Sequence, residues 1–546
     1  MILCLQIARQ CRRYLHTYPL LQGTRNRPPK GQKSDAQAEP KQQTDGWSGV
    51  IGLEIHAQIK SKSKLFSGSG TEFSAPSNTQ VSLFDCATPG TLPVLNRRCV
   101  EAAVKTAFAL NCTINPVSLF DRKHYFYADL PTGYQITQRY KPIAASGWME
   151  YVQVVNKQPH KHIVNIEQIQ LEQDSGKSIH NPQDNNSLID LNRAGIGLME
   201  IITKPDFTSG EQAAAFVREL VLILKVLHVC DVRMFEGSLR VDANISVHRK
   251  GEPLGVRSEV KNLASMKFIS KAIDYEISRQ VKILEKGEKV VNETRGFDLK
   301  TGRTYPMRDK EILQDYRYMP EPNLPPLRLF NSENSQIVPQ GQVDIAVVKK
   351  ELPELPSVKR TRYLEEFKLF PIHAAMIVAD ERLSSLFDAA VPMAKNSTPQ
   401  NVSTLIMNGL VGILNTANLS ESAEEIPVKP KDFALLTDML SEEKVPRSIV
   451  LNILQDLVKD GSGSTDVAKV IEDNKWYQIN DEAELGALCD RVIAEDSESL
   501  EAIKAGRMKA FNALMAKVKT LSKDLANMKL TKGIMEKKLE IKATKD

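Results

Sequence analysis

The fold is decided by residues 49–60, which read GVIGLEIHAQIK. Apolar side chains occupy the odd positions from Ile51 to Ile59, and small or polar side chains occupy the even positions. Because successive side chains of a strand point to opposite faces, this alternation predicts a half-buried β-strand with Glu54 and His56 on its open face. A carboxylate and an imidazole placed side by side can share a metal ion or a proton, but an ordinary solvent-facing strand shows the same pattern.

The same alternation recurs in two later segments, which favours the first of these interpretations. Residues 238–248 place Arg240 and Asp242 on one face, and residues 256–261 add Lys261. Neighbouring strands align their faces, so we expect these side chains to pool into one polar surface. Such a surface suits Mg²⁺ with polyphosphate, because Mg²⁺ takes few carboxylates plus phosphate oxygens, and Arg or Lys balances the phosphate charge.

A fourth segment, residues 166–180, reads IEQIQLEQDSGKSIH and adds Glu172 and Asp174 beside a glycine turn. Its Gly176-Lys-Ser ending is similar to the end of a P-loop, but the first glycine of GxxxxGK[ST] would fall at position 171, which is Leu. A P-loop ATPase is therefore excluded. No GxGxxG or HExxH motif occurs, and no Ser-His-Asp or Cys-His set can be assigned from spacing.

Composition indicates a globular chain of several domains. The chain has 546 residues, of which 42% are hydrophobic and 25% are charged. No apolar run approaches the ~18 residues needed to span a bilayer, so we predict no membrane partner. Seven cysteines without a CxxC pair fit a reducing compartment and argue against a disulfide framework or a cysteine zinc site.

Strand signals alternate with Gly, Pro and Asn turns up to about residue 335, and helical signals dominate afterwards. Within the first part we predict helices over residues 101–110, 210–228 and 271–286, the last ending at Gly287. The fold class is therefore predicted as α+β. The predicted domains are a sheet domain over residues 46–335, a helical linker domain over 336–398 and a helical tail over 399–546. Residues 502–539 of the tail form a long, Lys-rich, amphipathic stretch.

Charge is distributed unevenly along the chain. Residues 1–33 contain five Arg, two Lys and no acid, and residues 501–546 also carry a net charge of +7, which leaves −9 between them. The first stretch predicts a mitochondrial transit peptide, followed by a disordered bridge up to residue 45. The basic tail favours an anionic partner, with nucleic acid first, although a solvated Lys-rich helix would look the same.

Several longer motifs, taken in order, identify a family. They read GLEIHAQI (52–59), SKLF (63–66), DRKHYFYADLPTGYQIT (121–137), LEQDSGK (171–177), DLNRAGIGLMEIITKPD (190–206), EGSLRVDANISV (236–247) and DYRYMPEPNLPPL (315–327). Together they resemble the B subunits of aspartyl/glutamyl-tRNA amidotransferases, the GatB family. The resemblance is specific over residues 49–330 and looser over the helical tail.

The resemblance implies an antiparallel-sheet catalytic cradle, a helical subdomain and an all-α YqeY-like tail domain that binds the tRNA body. It implies an ATP-dependent carbon–nitrogen ligase with glutamine as amido donor. Members of the family use ATP and Mg²⁺ to phosphorylate the γ-carboxylate of Glu on misacylated tRNA(Gln), and ammonia then displaces the phosphate. Their A partner is an amidase that supplies ammonia through a channel, and their small C partner straps the two together in the GatCAB complex. With the transit peptide, the expected location is the mitochondrial matrix.

The resemblance also implies residue roles. Glu54 and His56 match the metal-binding strand of the family, and Glu172 falls in its acidic motif. These three are the expected Mg²⁺ ligands, and with Asp242 they are the expected catalytic residues. Lys123 matches a lysine of the ammonia path. Further candidates for phosphate or tRNA contact are Arg240, Lys261 and Arg317.

Two departures from the family pattern bear on these roles. Gln170 and Gln173 replace a His and a Glu of the acidic motif, so the Mg²⁺ ligand set is left open. The positions of a four-cysteine zinc motif of bacterial relatives read Ser67, Ser69, Ser82 and Asp85. Because hydroxyls are poor zinc ligands, we predict no structural zinc.

Two rival functions remain open from the sequence. The two Gln replacements permit a non-catalytic tRNA-binding scaffold with a degenerate carboxylate face. A self-sufficient metal-dependent hydrolase is the other rival, and the lack of a nucleophile set and the partnership of the family argue against it.

Overall fold

The computed structural model describes residues 46–539, apart from residues 157, 182, 184, 308–314, 335–336, 418, 420–424, 462–464 and 505–508. The predicted transit peptide and bridge over residues 1–45 lie outside the described residues. The described chain divides into two compact units, one ending at Pro356 and the other beginning at Ser357. The first unit carries a large sheet and the second is helical, which confirms the α+β fold class.

The strands all belong to the first unit. They are β1 Trp47–Gln58, β2 Thr113–Ile114, β3 Val117–Ser118, β4 Asp121–His124, β5 Tyr134–Thr137, β6 Ala144–Val155, β7 Gln158–Gln173, β8 Lys177–Asn181, β9 Asn186–Asp190, β10 Gly197–Thr203, β11 Leu239–Arg249, β12 Ser258–Val260, β13 Thr294–Asp298, β14 Arg303–Pro306, β15 Met319–Pro320 and β16 Leu327–Arg328. The helices of this unit are α1 Arg97–Ala109, α2 Gly210–Val226, α3 Met266–Glu285 and α4 Ile345–Lys350, with short 3-10 turns at Met234–Glu236 and Ser332–Asn334.

Within the described residues, nine strands form one sheet in the order β14-β13-β12-β11-β1-β10-β7-β6-β2. All neighbours pair antiparallel except β12 and β13, which are parallel. The strand predicted from residues 49–60 is β1, which lies near the middle of the sheet between β10 and β11. A smaller sheet, β15-β4-β5, has β5 in contact with β7.

The two faces of β1 have different surroundings, as the alternation predicts. Ile51, Leu53 and Ile55 are at most 1% exposed and belong to the core under α2 and α3, which pack on each other and on the sheet. Each buried side chain of this kind contributes about 1.5–3 kcal/mol. At the helix contact, a Cβ on Gly210 would lie 2.3 Å from the carbonyl oxygen of Ser270, so only glycine fits there. The opposite face keeps the polar side chains of β1.

The three predicted helices of this unit are present as α1, α2 and α3, and α1 and α3 begin earlier than predicted. Their starts are set by capping side chains that the apolar periodicity does not show. Asn96 Oδ1 accepts a hydrogen bond from Arg98 N at 2.9 Å, and Ser265 Oγ accepts one from Phe268 N at 3.2 Å. Gly287 follows α3 with φ +79°, as predicted for a helix end.

The second unit is built from helices. They are α5 Pro356–Glu365, α6 Pro371–Ala379, α7 Glu381–Ala390, α8 Pro399–Leu405, α9 Val411–Thr416, α10 Pro430–Ser441, α11 Arg447–Asp460, α12 Val467–Asp473, α13 Glu482–Glu495, α14 Ser497–Lys504, α15 Lys509–Leu521 and α16 Met528–Lys538. A π-helical turn, Ile406–Leu410, joins α8 to α9, and a 3-10 turn follows α7 at Val391–Met393. No helix of the described chain is long and apolar enough to cross a membrane.

Two packing features bear on the predicted domain boundaries, which remain predictions. Phe387 and Phe433 share one hydrophobic core, so residues on both sides of the predicted 398/399 boundary pack together. The sheet unit also continues past residue 335, because Val348 of α4 packs in its core. The burial of side chains determines these boundaries. The Pro-rich stretch before residue 327 does not show which side chains are buried together.

The Lys-rich stretch over residues 502–539 is not one long helix. It ends α14 and forms α15 and α16. Lys523 and Asp524 have φ of +51° and +66°, and the Asn527 side chain then caps α16 by accepting hydrogen bonds from the backbone. Left-handed residues interrupt a helix, and the cap starts the next one in a new direction.

Candidate active site

A row of polar side chains crosses the open face of the sheet through His56. The register pairs His56 with Arg240 of β11 on one side and with Glu200 of β10 on the other, and Glu200 pairs with Gln170 of β7. Residues opposite each other on neighbouring strands lie on the same face, so the row is a direct consequence of the strand pairing. His56 Nε2 lies 3.7 Å from Glu200 Oε1.

Glu172 joins this row and completes a cluster. One ligand atom from each of His56, Glu172 and Glu200 lies within 4.8 Å of the others, and no other such group of three or more metal-ligating side chains occurs in the described part of the chain. Glu172 is 4% exposed and Glu200 is 7% exposed. We call these three side chains the acidic cluster.

The surroundings of the two carboxyls in the acidic cluster disfavour their charged forms. Burial raises the pKa of the Glu172 carboxyl, and the neighbouring Glu200 raises it further. Burial likewise raises the pKa of Glu200, although Lys123 opposes this effect. Two buried carboxylates at this separation favour a shared proton or a cation, and an imidazole nitrogen is available as a third ligand. This donor set fits a divalent cation.

Lys123 reaches the acidic cluster from β4 of the smaller sheet. Burial would lower the pKa of its ammonium, but the carboxylates of Glu172 and Glu200 outweigh burial, and the pKa is raised. Its Nζ lies 4.9 Å from the ring centre of Tyr316 and 5.9 Å from that of Tyr125. The structure therefore places this predicted residue beside the predicted acid Glu172.

Asp174 anchors the cationic end of the row. Its Oδ2 lies 2.9 Å from Arg240 Nη2 and 3.7 Å from Arg193 Nε, and it accepts a hydrogen bond from Gln58 Nε2 at 3.1 Å. Burial alone would raise the pKa of this carboxyl, but Arg240 and then Arg193 lower it below its usual range. Asp174 thus holds the Arg240 guanidinium beside His56.

Glu54 and Asp242 lie on the same face. Each is two residues along its strand from the paired residues His56 and Arg240. Glu54 pairs with Asp242 across the strands and accepts a hydrogen bond from Asn244 Nδ2 at 2.9 Å. Asp242 accepts a hydrogen bond from Asn262 N at 2.8 Å, and Lys261 Nζ lies 3.9 Å from it. The structure does not bring Glu54 into the group of three, and the prediction that it binds Mg²⁺ stays a prediction.

A cavity opens beside Glu54. Its volume is about 300 Å³, and its walls include Glu54, Thr203, Asn244 and Arg257. This volume is at the lower end of the range for small-molecule sites. The polar face therefore has a donor set that fits a cation and adjoining space for a ligand.

The two glutamines of the acidic motif have separate structural roles. Gln170 Nε2 donates a hydrogen bond to Glu200 Oε2, and Gln173 Oε1 accepts one from Ile136 N at 3.0 Å. Gln170 therefore supports a member of the acidic cluster, whereas Gln173 ties β7 to β5.

The positions of the absent cysteine motif hold an internal ion pair. Lys64 Nζ lies 3.1 Å from Asp85 Oδ2, and their side chains are 0% and 1% exposed. Ser67 Oγ donates to Asp85 Oδ2 at 3.0 Å, and Ser82 N donates to the same oxygen at 2.9 Å. Ser69 contributes its carbonyl oxygen, which accepts from Lys64 N at 3.1 Å.

Arg317 is not part of the acidic cluster. Its side chain is exposed, and its backbone is in the left-handed region with φ +44°. Its carbonyl oxygen lies 2.9 Å from His124 Nδ1, which fixes residues 315–320 against β4. The prediction that Arg317 contacts phosphate or tRNA stays untested.

Sequence reasoning missed Glu200 and gave no role to Asp174. Glu200 is the one acid in the strand GLMEIIT, whose other residues are apolar or small, and every residue of this strand except Ile202 is buried. A lone acid in a buried strand needs a partner, so this pattern could have identified Glu200 as a candidate site residue. The strand order decides which side chains Glu200 contacts. The alternation of apolar and polar residues does not show the strand order.

Comparisons with known proteins cover most of the chain. A family model described as the GatB/GatE catalytic domain matches residues 49–334, and one described as the GatB domain matches residues 385–539. The B subunit of the mitochondrial glutamyl-tRNA(Gln) amidotransferase of Danio rerio is 49% identical, over 89% of this chain and 88% of the relative. The protein of the same name from Homo sapiens is 47% identical, over 91% and 89%. The B subunit of the aspartyl/glutamyl-tRNA(Asn/Gln) amidotransferase of Rickettsia conorii is 43% identical, over 91% and 98%.

Proposed function

Because this chain belongs to the GatB family of tRNA amidotransferase B subunits, we propose that it activates and amidates the glutamate of misacylated Glu-tRNA(Gln), using ATP. The observation that carries the proposal is the acidic cluster of His56, Glu172 and Glu200, with Lys123 beside it. The product is Gln-tRNA(Gln) for protein synthesis. Relatives with mitochondrial names favour Glu-tRNA(Gln) over Asp-tRNA(Asn) as the substrate.

The reaction needs two steps because a carboxylate does not react with ammonia at neutral pH. In the first step, a γ-carboxylate oxygen of the glutamate attacks the γ-phosphorus of ATP, and the bond to ADP breaks. In the second step, ammonia attacks the acyl carbon and inorganic phosphate leaves with the bonding pair. Both steps concentrate negative charge on phosphate oxygens, so positioned cations stabilise them.

The residues of the polar face divide this work. His56, Glu172 and Glu200 would hold Mg²⁺, and Glu54 and Asp242 are the neighbouring acids of the predicted site. When bound, Mg²⁺ would supply neutralisation of the phosphate charge and orient the phosphate oxygens.

Arg240, Lys261 and Lys123 supply fixed positive charge at three places around the acids. Asp174 orients Arg240, and Glu259 lies 3.3 Å from Lys261 Nζ. Lys123, which approaches from the smaller sheet, is the residue that we assign to the ammonia path. An ammonium group between the two sheets would position an incoming nucleophile and stabilise the acyl phosphate.

Partners and location follow from the family and from charge. We assign the chain to a heterotrimer, the GatCAB complex, with an amidase as the A partner, which supplies ammonia, and a small C partner. The Lys-rich helices α15 and α16 are the candidate contact with the tRNA body, and this contact should weaken with salt. The acid-free residues 1–33 and the mitochondrial names of relatives support the mitochondrial matrix.

The prediction that no structural zinc is bound is retained. It is supported by the Lys64–Asp85 ion pair, because a lysine and hydroxyl groups occupy the place where thiolates would be needed.

The experiment uses the chain assembled with its A and C partners. ATP, Mg²⁺ and Glu-tRNA(Gln) are added without an amido donor, and ADP release is followed. We expect release that requires the misacylated tRNA and that is lost in Glu172→Gln. The matched control is Glu150→Gln, which changes a half-exposed glutamate on β6 of the same sheet, paired with Lys161.

Two outcomes would contradict the proposal. Absence of ADP release from the parent assembly, with tRNA binding intact, would favour the scaffold function. Release of ammonia from glutamine by this chain alone would contradict the division of labour within the heterotrimer.

A further inference from the structure

Five tyrosines form a continuous series of ring contacts in the segments that follow β4 and β5 and the segment that precedes β15. Their ring centres are separated by 5.6 Å between Tyr127 and Tyr125, 6.1 Å between Tyr125 and Tyr316, 6.2 Å between Tyr316 and Tyr318, and 6.2 Å between Tyr318 and Tyr140. All four contacts are edge-to-face. We call this series the tyrosine ladder.

The middle of the ladder adjoins the acidic cluster. Lys123 Nζ lies over the ring of Tyr316 at 4.9 Å, and the same ammonium interacts with Glu172 and Glu200. Burial raises the pKa of the Tyr318 hydroxyl, and the positive charges of Lys123 and Arg139 oppose this effect. The ladder therefore runs from the cluster toward the surface.

Both ends of the ladder are exposed, Tyr127 to 42%, and the end at Tyr140 is positively charged. Tyr140 is 67% exposed, and it lies between the exposed residues Arg139 and Lys141. The Arg139 guanidinium lies over the ring of Tyr318 at 5.8 Å and has no carboxylate partner among the residues that the structure describes. The backbone N of Tyr140 donates to Asp121 Oδ2 at 3.1 Å, which fixes this end to β4.

Aromatic faces next to guanidinium groups are typical of single-stranded nucleic-acid sites, where bases stack on rings and cations meet phosphates. In an aminoacyl-tRNA the amino acid is esterified to the ribose of the terminal nucleoside. That nucleoside must therefore lie beside the group that reacts. The tyrosine ladder is an aromatic surface that connects the acidic cluster to solvent.

We propose that Tyr140 and Tyr318, together with Arg139, form the stacking site for the terminal nucleosides of the aminoacyl-tRNA acceptor end. Arg139 binds the backbone phosphate, and the bases stack on the tyrosine rings. The proposal rests on the proposed function, because it assigns the substrate end to this part of the same site.

The test measures binding by the assembled heterotrimer, without turnover. Two uncharged tRNA(Gln) molecules are compared, one with an intact 3′-terminal adenosine and one with an abasic terminal nucleotide. The parent should bind the abasic tRNA roughly 5- to 150-fold more weakly, the range expected for one stacked base. In Tyr140→Ala the intact tRNA should bind more weakly, and the difference between the two tRNAs should shrink.

Two variants separate stacking from other effects. Tyr140→Phe keeps the ring and should bind both tRNAs like the parent. Tyr305→Ala removes another exposed tyrosine, 49% exposed on β14 and outside the ladder, and should also leave binding unchanged. Since Tyr140 is mostly exposed, its truncation should not impair folding, and the unfolding midpoint checks this.

Three outcomes would overturn the proposal. The first is equal binding of intact tRNA by Tyr140→Ala and the parent. The second is an unchanged penalty for the abasic end in Tyr140→Ala. The third is failure of Tyr140→Ala to assemble with its A and C partners, which would assign the ladder to a protein interface. None of these readouts uses amidation, so failure of the proposed function is detected separately, by the ADP-release assay.

Discussion

The Lys64–Asp85 pair and the acidic cluster are both buried in the sheet unit, but their charges are balanced differently. The pair contains one cation and one anion at 3.1 Å, and Ser67 and Ser82 also hydrogen-bond to the carboxylate. The acidic cluster brings together two carboxylates and one imidazole with the Lys123 ammonium beside them, and burial raises the pKa of both carboxyls.

This difference supports the proposal that the acidic cluster binds a cation, whereas the Lys64–Asp85 pair is structural. A buried ion pair with its hydrogen bonds complete has nothing left to bind, and removing one partner mainly destabilises the fold. Two carboxylates that repel each other destabilise the free protein slightly and leave capacity for a cation. Substitutions in the two regions should therefore affect different properties.

The largest effect on the amidation rate is expected for Glu200→Gln. The amide keeps the shape of the side chain but removes one negative charge from the acidic cluster. We expect the amidation rate to fall about 10²- to 10³-fold, as when one preorganised charge-stabilising group is removed. The midpoint of thermal unfolding should stay the same or rise, because the repulsion between Glu200 and Glu172 disappears.

The control for this variant is a Mg²⁺ titration of the unfolding midpoint. Mg²⁺ should raise the midpoint of the parent assembly, since a ligand that binds only the folded state stabilises it, and this rise should be lost in Glu200→Gln. A variant with a nearly unchanged rate, or an undiminished response to Mg²⁺, would show that the two buried sites do not differ as described.

The largest effect on the free energy of unfolding is expected for Asp85→Ala. This change leaves the Lys64 ammonium buried without its partner, which should lower the free energy of unfolding by about 3–5 kcal/mol. The amidation rate per folded molecule should be close to that of the parent. Chemical denaturation, followed by fluorescence, gives the first quantity, and the rate normalised to folded protein gives the second.

A matched double variant checks the cause. Lys64→Met combined with Asp85→Leu replaces both charges by apolar side chains of similar size, and it should recover most of the stability. If Asp85→Ala instead lowers the rate while keeping the stability, the Lys64–Asp85 pair has a functional role, and the comparison fails.

The smallest effect is expected for Ser67→Ala. It removes one hydrogen bond to Asp85, whose carboxylate keeps Lys64 and Ser82 as partners, so the free energy of unfolding should fall by about 0.5–1.5 kcal/mol. Ser69→Ala is the control, because only the backbone carbonyl of Ser69 bonds to Lys64, and it should change stability by less than about 0.5 kcal/mol. Equal effects of both variants would contradict the assigned role of Ser67.

Much of the sheet unit was predictable from local patterns. The alternation in residues 49–60 predicted β1 and its two faces, and the structure confirms both. Helical periodicity located α1, α2 and α3. The capping residues Asn96 and Ser265 set the starts of α1 and α3. The amphipathic stretch over residues 502–539 did not show where one helix ends and the next begins, which the left-handed Lys523 and Asp524 and the Asn527 cap determine.

The candidate site was predictable in part. His56, Glu172 and Lys123 were singled out from the sequence, and the structure brings them together. Glu200 was not singled out, because its strand is apolar and the acid stands alone in it. Its meaning depends on β10 pairing with β1 in a register that places Glu200 opposite His56.

The sequence by itself determined the family, the open and covered faces of β1 and the types of residue available for chemistry, because strand alternation, helical periodicity and motif order are local properties of the chain. Only the tertiary structure decided which charges meet. Strand order and register join residues that are far apart in the chain, so His56 meets Glu200 and Lys64 meets Asp85. Burial and neighbouring charges then decide whether a carboxylate is paired, and this distinguishes the Lys64–Asp85 ion pair from the acidic cluster, for which we propose a bound cation.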